Sequence, residues 1–368
     1  MNEAGTAGVL NRPALDEIHR HLGAVMTERE GWSVPSSYGD VLFEYAAVRE
    51  GGAGLIDLSS RGRLLVGGSE AVPFLNGLIT NDMKTLAEKQ WMPAVFPSVQ
   101  GRLIASVRVI HTPTGYLVDT EASTHQRVLD TLSRFTLAGD FRVVKLTAAL
   151  AQLSLQGALA GEIAGAVFGQ AATSLDRFAA AVVPWLEGQV TIIRATHTAA
   201  DGFDLFVDAG AAAGLWDALT GAGARPVGFD AFELLRIEAG QPRYGIDMDE
   251  TNVVTETNLD DAISYTKGCY IGQEIVARIK YRGHVAKKLT GLLFERGVSV
   301  HAGATIRSLD DKDIGRITSA TLSPHLGRTV ALGYVKYDYL AAGTTVKVVA
   351  DDDEFSAAVT ELPFVQGS

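Results

Sequence analysis

One cysteine, Cys269, stands among residues able to change its chemistry. Lys267 lies two positions before it, Gly268 and Tyr270 flank it, and Gly272, Gln273 and Glu274 follow. A nearby ammonium favours thiolate over thiol, which makes sulfur a nucleophile and a soft metal ligand. Glycine lets the backbone turn sharply or approach a ligand closely. Gln273 and Glu274 add an amide and a carboxylate that suit a heterocycle edge or the orientation of Lys267. Residue type alone leaves a plainer alternative, because a lone free cysteine is commonly a small buried hydrophobe.

Downstream lie Arg278, Lys280, Arg282, Lys287 and Lys288, with His284, and from Lys267 to Lys288 the only acid is Glu274. In a chain of net charge −11 this segment is an outlier. It is either a solvated face or an anion site for a polyglutamate tail, a phosphate, RNA or an acidic partner. A second cluster runs from Leu235 to Gly245 and holds Arg236, Glu238 and Tyr244. Helical spacing from Phe229 to Ala239 puts Phe232, Leu235 and Ala239 on one face and turns Arg236 and Glu238 elsewhere. Arg236 suits a carboxylate ligand, although residue type alone favours a structural ion pair.

Length and composition bound these chemistries. A chain of 368 residues is long for one core, so two or three domains are expected. Its 47% hydrophobic and 20% charged residues are ordinary for a globular protein. A single cysteine excludes an intramolecular disulfide and a cysteine-only metal site, so no metal ligands are assigned. An iron–sulfur cluster takes about four thiolates, so the chain cannot hold one unaided. The acidic balance disfavours tRNA or other nucleic acid as a general partner. No apolar run approaches the ~20 residues of a membrane span, and residues 1–13 lack signal-peptide patterning; a soluble, cytoplasmic protein is expected.

The elements that must carry these residues alternate. Helices are expected over Leu15–Thr27, Leu42–Val48, a segment capped by Ser69, a segment opened by a Ser123–Gln126 capping box, Leu159–Phe168, Ala211–Leu219 and Phe229–Ala239. Leu55–Leu58 and Arg63–Val66 read as a strand pair around a Ser59–Gly62 turn. Met92–Pro97 and Arg102–Ile110 read as another around Ser98–Gly101. Tyr116–Asp119, Phe141–Leu146, Gln152–Leu155, Gln189–Arg194 and Phe203–Asp208 look extended. From Leu289 onward, short β pieces between Gly, Pro and Asp turns suggest a small barrel. Gly51–Gly54 matches no nucleotide-binding loop and reads as a helix stop.

Lys267-Gly268-Cys269-Tyr270-Ile271-Gly272-Gln273-Glu274 is similar to the K-G-C-[FY]-x-G-Q-E signature of the YgfZ family. Thr80-Asn81-Asp82, Asp201 to Leu205, Leu215 to Leu219, and Leu235 to Gly240 with Tyr244-Gly245 resemble the wider family that includes the glycine-cleavage T-protein (aminomethyltransferase). The resemblance spans roughly residues 20 to 365. It implies an α+β, three-subdomain cloverleaf of the aminomethyltransferase folate-binding type with a C-terminal β-barrel. The folate-binding region would cover residues 15–287 as two α+β subdomains, and the barrel residues 288–368.

The resemblance further implies tetrahydrofolate as ligand, with Asp204, Arg236, Glu238, Tyr244, Tyr270, Gln273 and Glu274 as folate contacts. It implies Cys269 as the functional thiol beside Lys267, and a role in iron–sulfur cluster assembly or repair with client or assembly proteins as partners, including enzymes of tRNA modification. Where aminomethyltransferases carry an Asp pair, this chain has Ala105 and Ser106, so glycine-cleavage activity is not expected. Asp204 stands for a Glu of the T-protein pattern, Ala200 for another, and Phe232 for an Arg; Thr120 and Ser123 stand for Asn. Two alternatives remain: a tetrahydrofolate-dependent aminomethyl or methyl transferase using Asp204 or Glu238 as replacement acid, and a tRNA-modification-related binding module using the Arg278–Lys288 patch.

Overall fold

The computed structural model describes residues 10–137 and 139–367, without the side chain of Arg282. The first of three lobes is a five-stranded sheet in the order Trp91–Pro97, Leu103–Thr112, Gly115–Thr120, Gly62–Gly67, Arg142–Lys145. Helices Ala71–Leu78 and Ala122–Ser133 supply Leu75, Val128 and Leu132 to its core, against Leu64, Val107 and Val118. The second lobe is a six-stranded sheet in the order Ala180–Trp185, Gly188–Arg194, Gly202–Asp208, Leu150–Gln156, Gly54–Asp57, Arg225–Pro226. Helices Ala160–Phe168 and Ala212–Gly221 pack on it through Ile163, Leu215 and Trp216.

The third lobe is a closed barrel of six strands: Lys287–Phe294, Arg328–Lys336, Asp313–Ser323, Thr305–Arg307, Thr345–Ala350 and Asp353–Thr360. Closure leaves no unpaired sheet edge. Alternate residues such as Val346 and Val348 fill its interior, as the two-residue period of a strand requires. The three-lobed α+β architecture with a terminal barrel is the one expected.

The hairpin around Ser98–Gly101 forms as anticipated. Gly101 takes φ +69°, and Ser98 Oγ accepts from the Gln100 and Arg102 amides, each at 3.2 Å. Other expectations are corrected. The helix at Leu15 ends at His21, Gly23 takes φ +78°, and the chain returns as strand Val25–Arg29 paired with Trp32–Ser37. Gly54–Asp57 and Gly62–Gly67 are strands of different sheets, so the turn between them links lobes and closes no hairpin. Ser69 does not cap its helix, whose N-cap is Glu70; Ser123 lies inside the next, whose N-cap is Glu121.

The helix Phe229–Glu238 departs most from expectation. It is not amphipathic in place: Arg236 and Glu238 are buried alongside Leu235 and Ile237. The helix lies between the Trp32–Ser37 region and the barrel, so both faces are covered. Arg236 bonds Asp247 at 2.5 Å and Ser319 Oγ at 2.8 Å. Glu238 accepts from Ser323 at 2.5 Å and Tyr45 at 2.8 Å and pairs with Arg49 at 3.0 Å. Buried charges persist only when paired in this way, and these pairs fasten the barrel to the rest of the molecule.

Candidate functional site

Where the lobes meet, they enclose a cavity of about 250 Å³. Its walls are apolar and aromatic, with Trp91, Phe229, Phe232, Met248 and Leu259, and its polar lining includes Arg29, Arg61, Arg243, Ser106 and His197. Arg29, Arg236 and Arg243 converge on one carboxylate, Glu233, which they hold below its ordinary pKa against the opposing pull of burial. Asp247 also pairs with Arg236, and Glu30 lies beside Arg29 and Arg243, so three guanidiniums face three carboxylates at the mouth of the cavity.

From the lining inward runs an ion-pair chain that joins the two sheets. Arg61 pairs with Asp119 at 2.9 Å, Arg108 with Asp119 at 2.6 Å, and Arg108 with Asp204 at 2.5 Å. Arg108 and Asp119 face each other across neighbouring strands by register, while Asp204 belongs to the second sheet. Burial opposes ionisation of Asp204, but His197 and Arg108 hold its carboxyl well below the usual carboxylate range. Asp119 is likewise lowered by Arg108 and Arg61 in spite of burial.

Of the seven expected folate contacts, only Arg236 lines this cavity. Asp204 stands one layer behind it. Glu238 is consumed by the barrel clamp. Tyr244 is buried with its hydroxyl 3.0 Å from both Arg127 and Glu250. Tyr270, Gln273 and Glu274 lie at another surface. Among the substituted positions, Ser106 and Phe232 line the cavity and Ala105 points into the first lobe's core. Trp91 and His197 went unnoticed in the sequence because each lies in a separate segment with no local pattern, while Arg243 lay within the Leu235–Gly245 cluster without being given a role.

The Cys269 segment is built differently. Lys267 is buried, and its ammonium donates to three carbonyls: Asn76 at 2.6 Å, Ile79 at 2.9 Å and Asn81 at 2.6 Å. Asn76 and Ile79 belong to the end of helix Ala71–Leu78, where carbonyls lack intrahelical partners and the helix dipole is negative, and Asn81 follows just beyond it. Burial draws the Lys267 pKa down to about 8. The hydrogen bonds that the ammonium makes are thus to carbonyls at and just beyond a helix end.

Tyr270 packs over Lys267 with the ammonium 5.0 Å from its ring centroid, and the Ile271 amide donates to Gly77. Gly272 takes φ +77°, and a Cβ there would fall 2.3 Å from the Ser98 carbonyl oxygen, so only glycine lets the loop lie against the hairpin turn. Between these anchors Cys269 is exposed. Gln273 begins the helix Gln273–Arg282 and reaches the Lys267 carbonyl at 3.4 Å, while Glu274 points outward. Arg278 and Lys280 are exposed on that helix. Lys287 stacks on Tyr334, and Lys288 reaches Asp260 at 3.4 Å. The side chain of Arg282 lies outside the described residues.

Comparison with known proteins places this architecture. Residues 15–267 match the GCVT N-terminal domain and residues 287–366 the glycine cleavage T-protein C-terminal barrel domain; the chain belongs to this T-protein family. It is 32% identical to the aminomethyltransferase of Symbiobacterium thermophilum, over 99% of this chain and 98% of that one. It is 33% identical to that of Streptomyces coelicolor, over 91% and 92%. The crystal structure of glycine cleavage system aminomethyltransferase T from Bartonella henselae superposes with a TM-score of 0.89 at 25% identity, covering 97% of this chain and 99% of that chain. The family is shared with the T-proteins as a whole. Among the described residues no helix is long and apolar enough to cross a membrane.

Proposed function

We propose that the chain binds tetrahydrofolate in the cavity between the lobes and handles a one-carbon unit there. The observation that carries this reading is an apolar, aromatic-walled cavity whose mouth gathers Arg29, Arg236 and Arg243. Those residues fit the ligand: Trp91, Phe229 and Phe232 offer ring faces to a flat heterocycle, and Arg29 and Arg243 offer charge to a glutamate tail. When bound, the folate supplies a reduced-pterin nitrogen that carries the one-carbon unit. Relatives are named aminomethyltransferases, and transfer of that general class is the activity expected. Glycine cleavage itself is disfavoured, because Ser106 offers a neutral hydroxyl where a carboxylate would balance developing positive charge.

The test is a titration with tetrahydrofolate followed by tryptophan fluorescence, with Trp91→Phe to identify the reporting ring. Binding well below ~1 mM is expected, and that threshold corresponds to only ~4 kcal/mol. Weaker binding removes the folate reading. A turnover assay with labelled aminomethyl and methyl donors then separates a transferase from a protein that only binds.

A second reading has its own observation. Cys269 is exposed outside the cavity, held between the Lys267 and Ile271 anchors, and its segment carries the YgfZ-like signature. Support of iron–sulfur enzymes through this thiol, with a partner supplying the remaining cluster ligands, fits that placement. Cys269→Ala is expected to fail to restore cluster-dependent enzyme activity in cells lacking the native protein; full restoration rules the role out.

A further inference from the structure

The cavity contains a histidine whose two ring nitrogens are unequally placed. His197 follows strand Gly188–Arg194, and its ring lines the cavity. Nε2 lies 3.0 and 3.2 Å from the two oxygens of Asp204, while Nδ1 has no hydrogen-bond partner among the described residues. The His197 amide donates to Gln156 Oε1 at 2.9 Å, and Phe232 meets the ring edge-on with centroids 5.9 Å apart. Backbone, carboxylate and aromatic edge thus fix the ring's orientation.

Asp204 is buried and bonded as an ionised group, and an ionised carboxylate only accepts hydrogen bonds. Nε2 therefore carries a proton, and in the neutral form of the ring the lone pair sits on Nδ1. Arg108 does not make Nε2 an acceptor: its Nη1 is 3.5 Å from Nε2 and is engaged by Asp204 at 2.5 Å. The same logic of carboxylate, oriented imidazole and free nitrogen makes histidine a base elsewhere. Other polar groups of the lining are committed or neutral. Glu121 pairs with Arg61, Glu30 accepts from the Ser123 amide, and Ser106 is a hydroxyl.

We propose that His197 Nδ1 is the proton acceptor of the cavity, with Asp204 as its positioning residue. It accepts a hydrogen bond from the N–H of a bound amine or reduced heterocycle, and takes the proton when that nitrogen is in its cationic, protonated form. The N⁺–H bond breaks with its electron pair staying on the ligand nitrogen, which becomes neutral, Nδ1–H forms, and Asp204 balances the imidazolium. This rests on the folate reading for its ligand. The charges facing the ring are Asp204 and Arg108 from the two sheets, with Asp119 and Arg61 behind them, Arg236 from the helix, and Arg29, Glu30, Glu121 and Arg243 across the cavity.

Long-range ¹H–¹⁵N correlation spectra of the full chain labelled at histidine give the tautomer and titration midpoint of His197. Tetrahydrofolate affinity is measured in parallel from pH 5.5 to 8.5 for the wild type and His197→Gln. The Nε2–H tautomer is expected. Wild-type affinity should fall towards tenfold per pH unit below the His197 midpoint, because the protonated ring has no lone pair to offer. His197→Gln should bind with an affinity flat in pH. An Nδ1–H tautomer, or wild-type affinity as flat as the variant's, overturns the acceptor role and leaves folate binding standing. Absence of tetrahydrofolate binding at every pH overturns the folate reading, and with it the acceptor role.

Discussion

The cavity and the Cys269 loop carry the molecule's reactive groups, and they are assembled in opposite ways. The cavity draws Arg29, Trp91, His197, Phe232 and Arg243 from segments scattered over more than half the chain. Its polar groups are steadied by partners behind them, as in the run from Arg61 through Asp119 and Arg108 to Asp204. The loop is eight consecutive residues, most of which serve as anchors. Lys267 caps a helix end, Gly272 permits contact with a turn, and Cys269 is presented to solvent. A contiguous signature can therefore be mostly architecture, while a cavity draws most of its lining from segments far apart in the chain.

Three substitutions test that contrast, in order of expected effect. Arg108→Leu removes the guanidinium shared by Asp119 and Asp204, and breaking buried pairs of this kind costs about 3–5 kcal/mol. Urea unfolding should show a loss in that range; a loss below ~1 kcal/mol would mean the ion-pair chain does not brace the cavity. Lys267→Met strips three carbonyls of their donor, at a cost of about 2–3 kcal/mol. Its effect should appear as lost stability, and the reactivity of Cys269 towards an alkylating probe, measured under native conditions, should change little. A large fall in that reactivity would restore Lys267 as activator of the thiol. Cys269→Ala should change stability by less than ~0.5 kcal/mol, as expected for an exposed side chain, and should leave tetrahydrofolate affinity unaltered. A weakened affinity would join the two regions into one site.

Local patterns explain which elements were legible. The Trp91–Pro97 and Leu103–Thr112 hairpin was readable because its turn residues and both strands are adjacent in the chain. The barrel was readable from short β pieces between turns, although Thr305–Arg307 and Asp353–Thr360 escaped notice. The pairing of Gly54–Asp57 was not, because alternation shows that a segment is extended but not which strand it joins. Helical periodicity ran past Gly23 at the start of the chain because apolar spacing continued after the backbone had turned. Phe229–Glu238 looked amphipathic because partners such as Ser319 and Ser323 lie more than eighty residues away.

By itself the sequence determined that Cys269 is solitary, that it sits in a glycine-flanked signature, and that the chain is a T-protein-like α+β fold ending in a barrel. Residue type, spacing and turn chemistry are local, and they sufficed for the solitary thiol, its glycine-flanked setting and an α+β part ending in a barrel; the T-protein likeness came from the resemblance of its motifs. Only the tertiary structure decided that Lys267 serves a helix end, that Glu238 is spent on the barrel, and that His197 meets Asp204 at a cavity wall. Those outcomes depend on burial, which forces each charge to find whichever partner the packed lobes bring within reach.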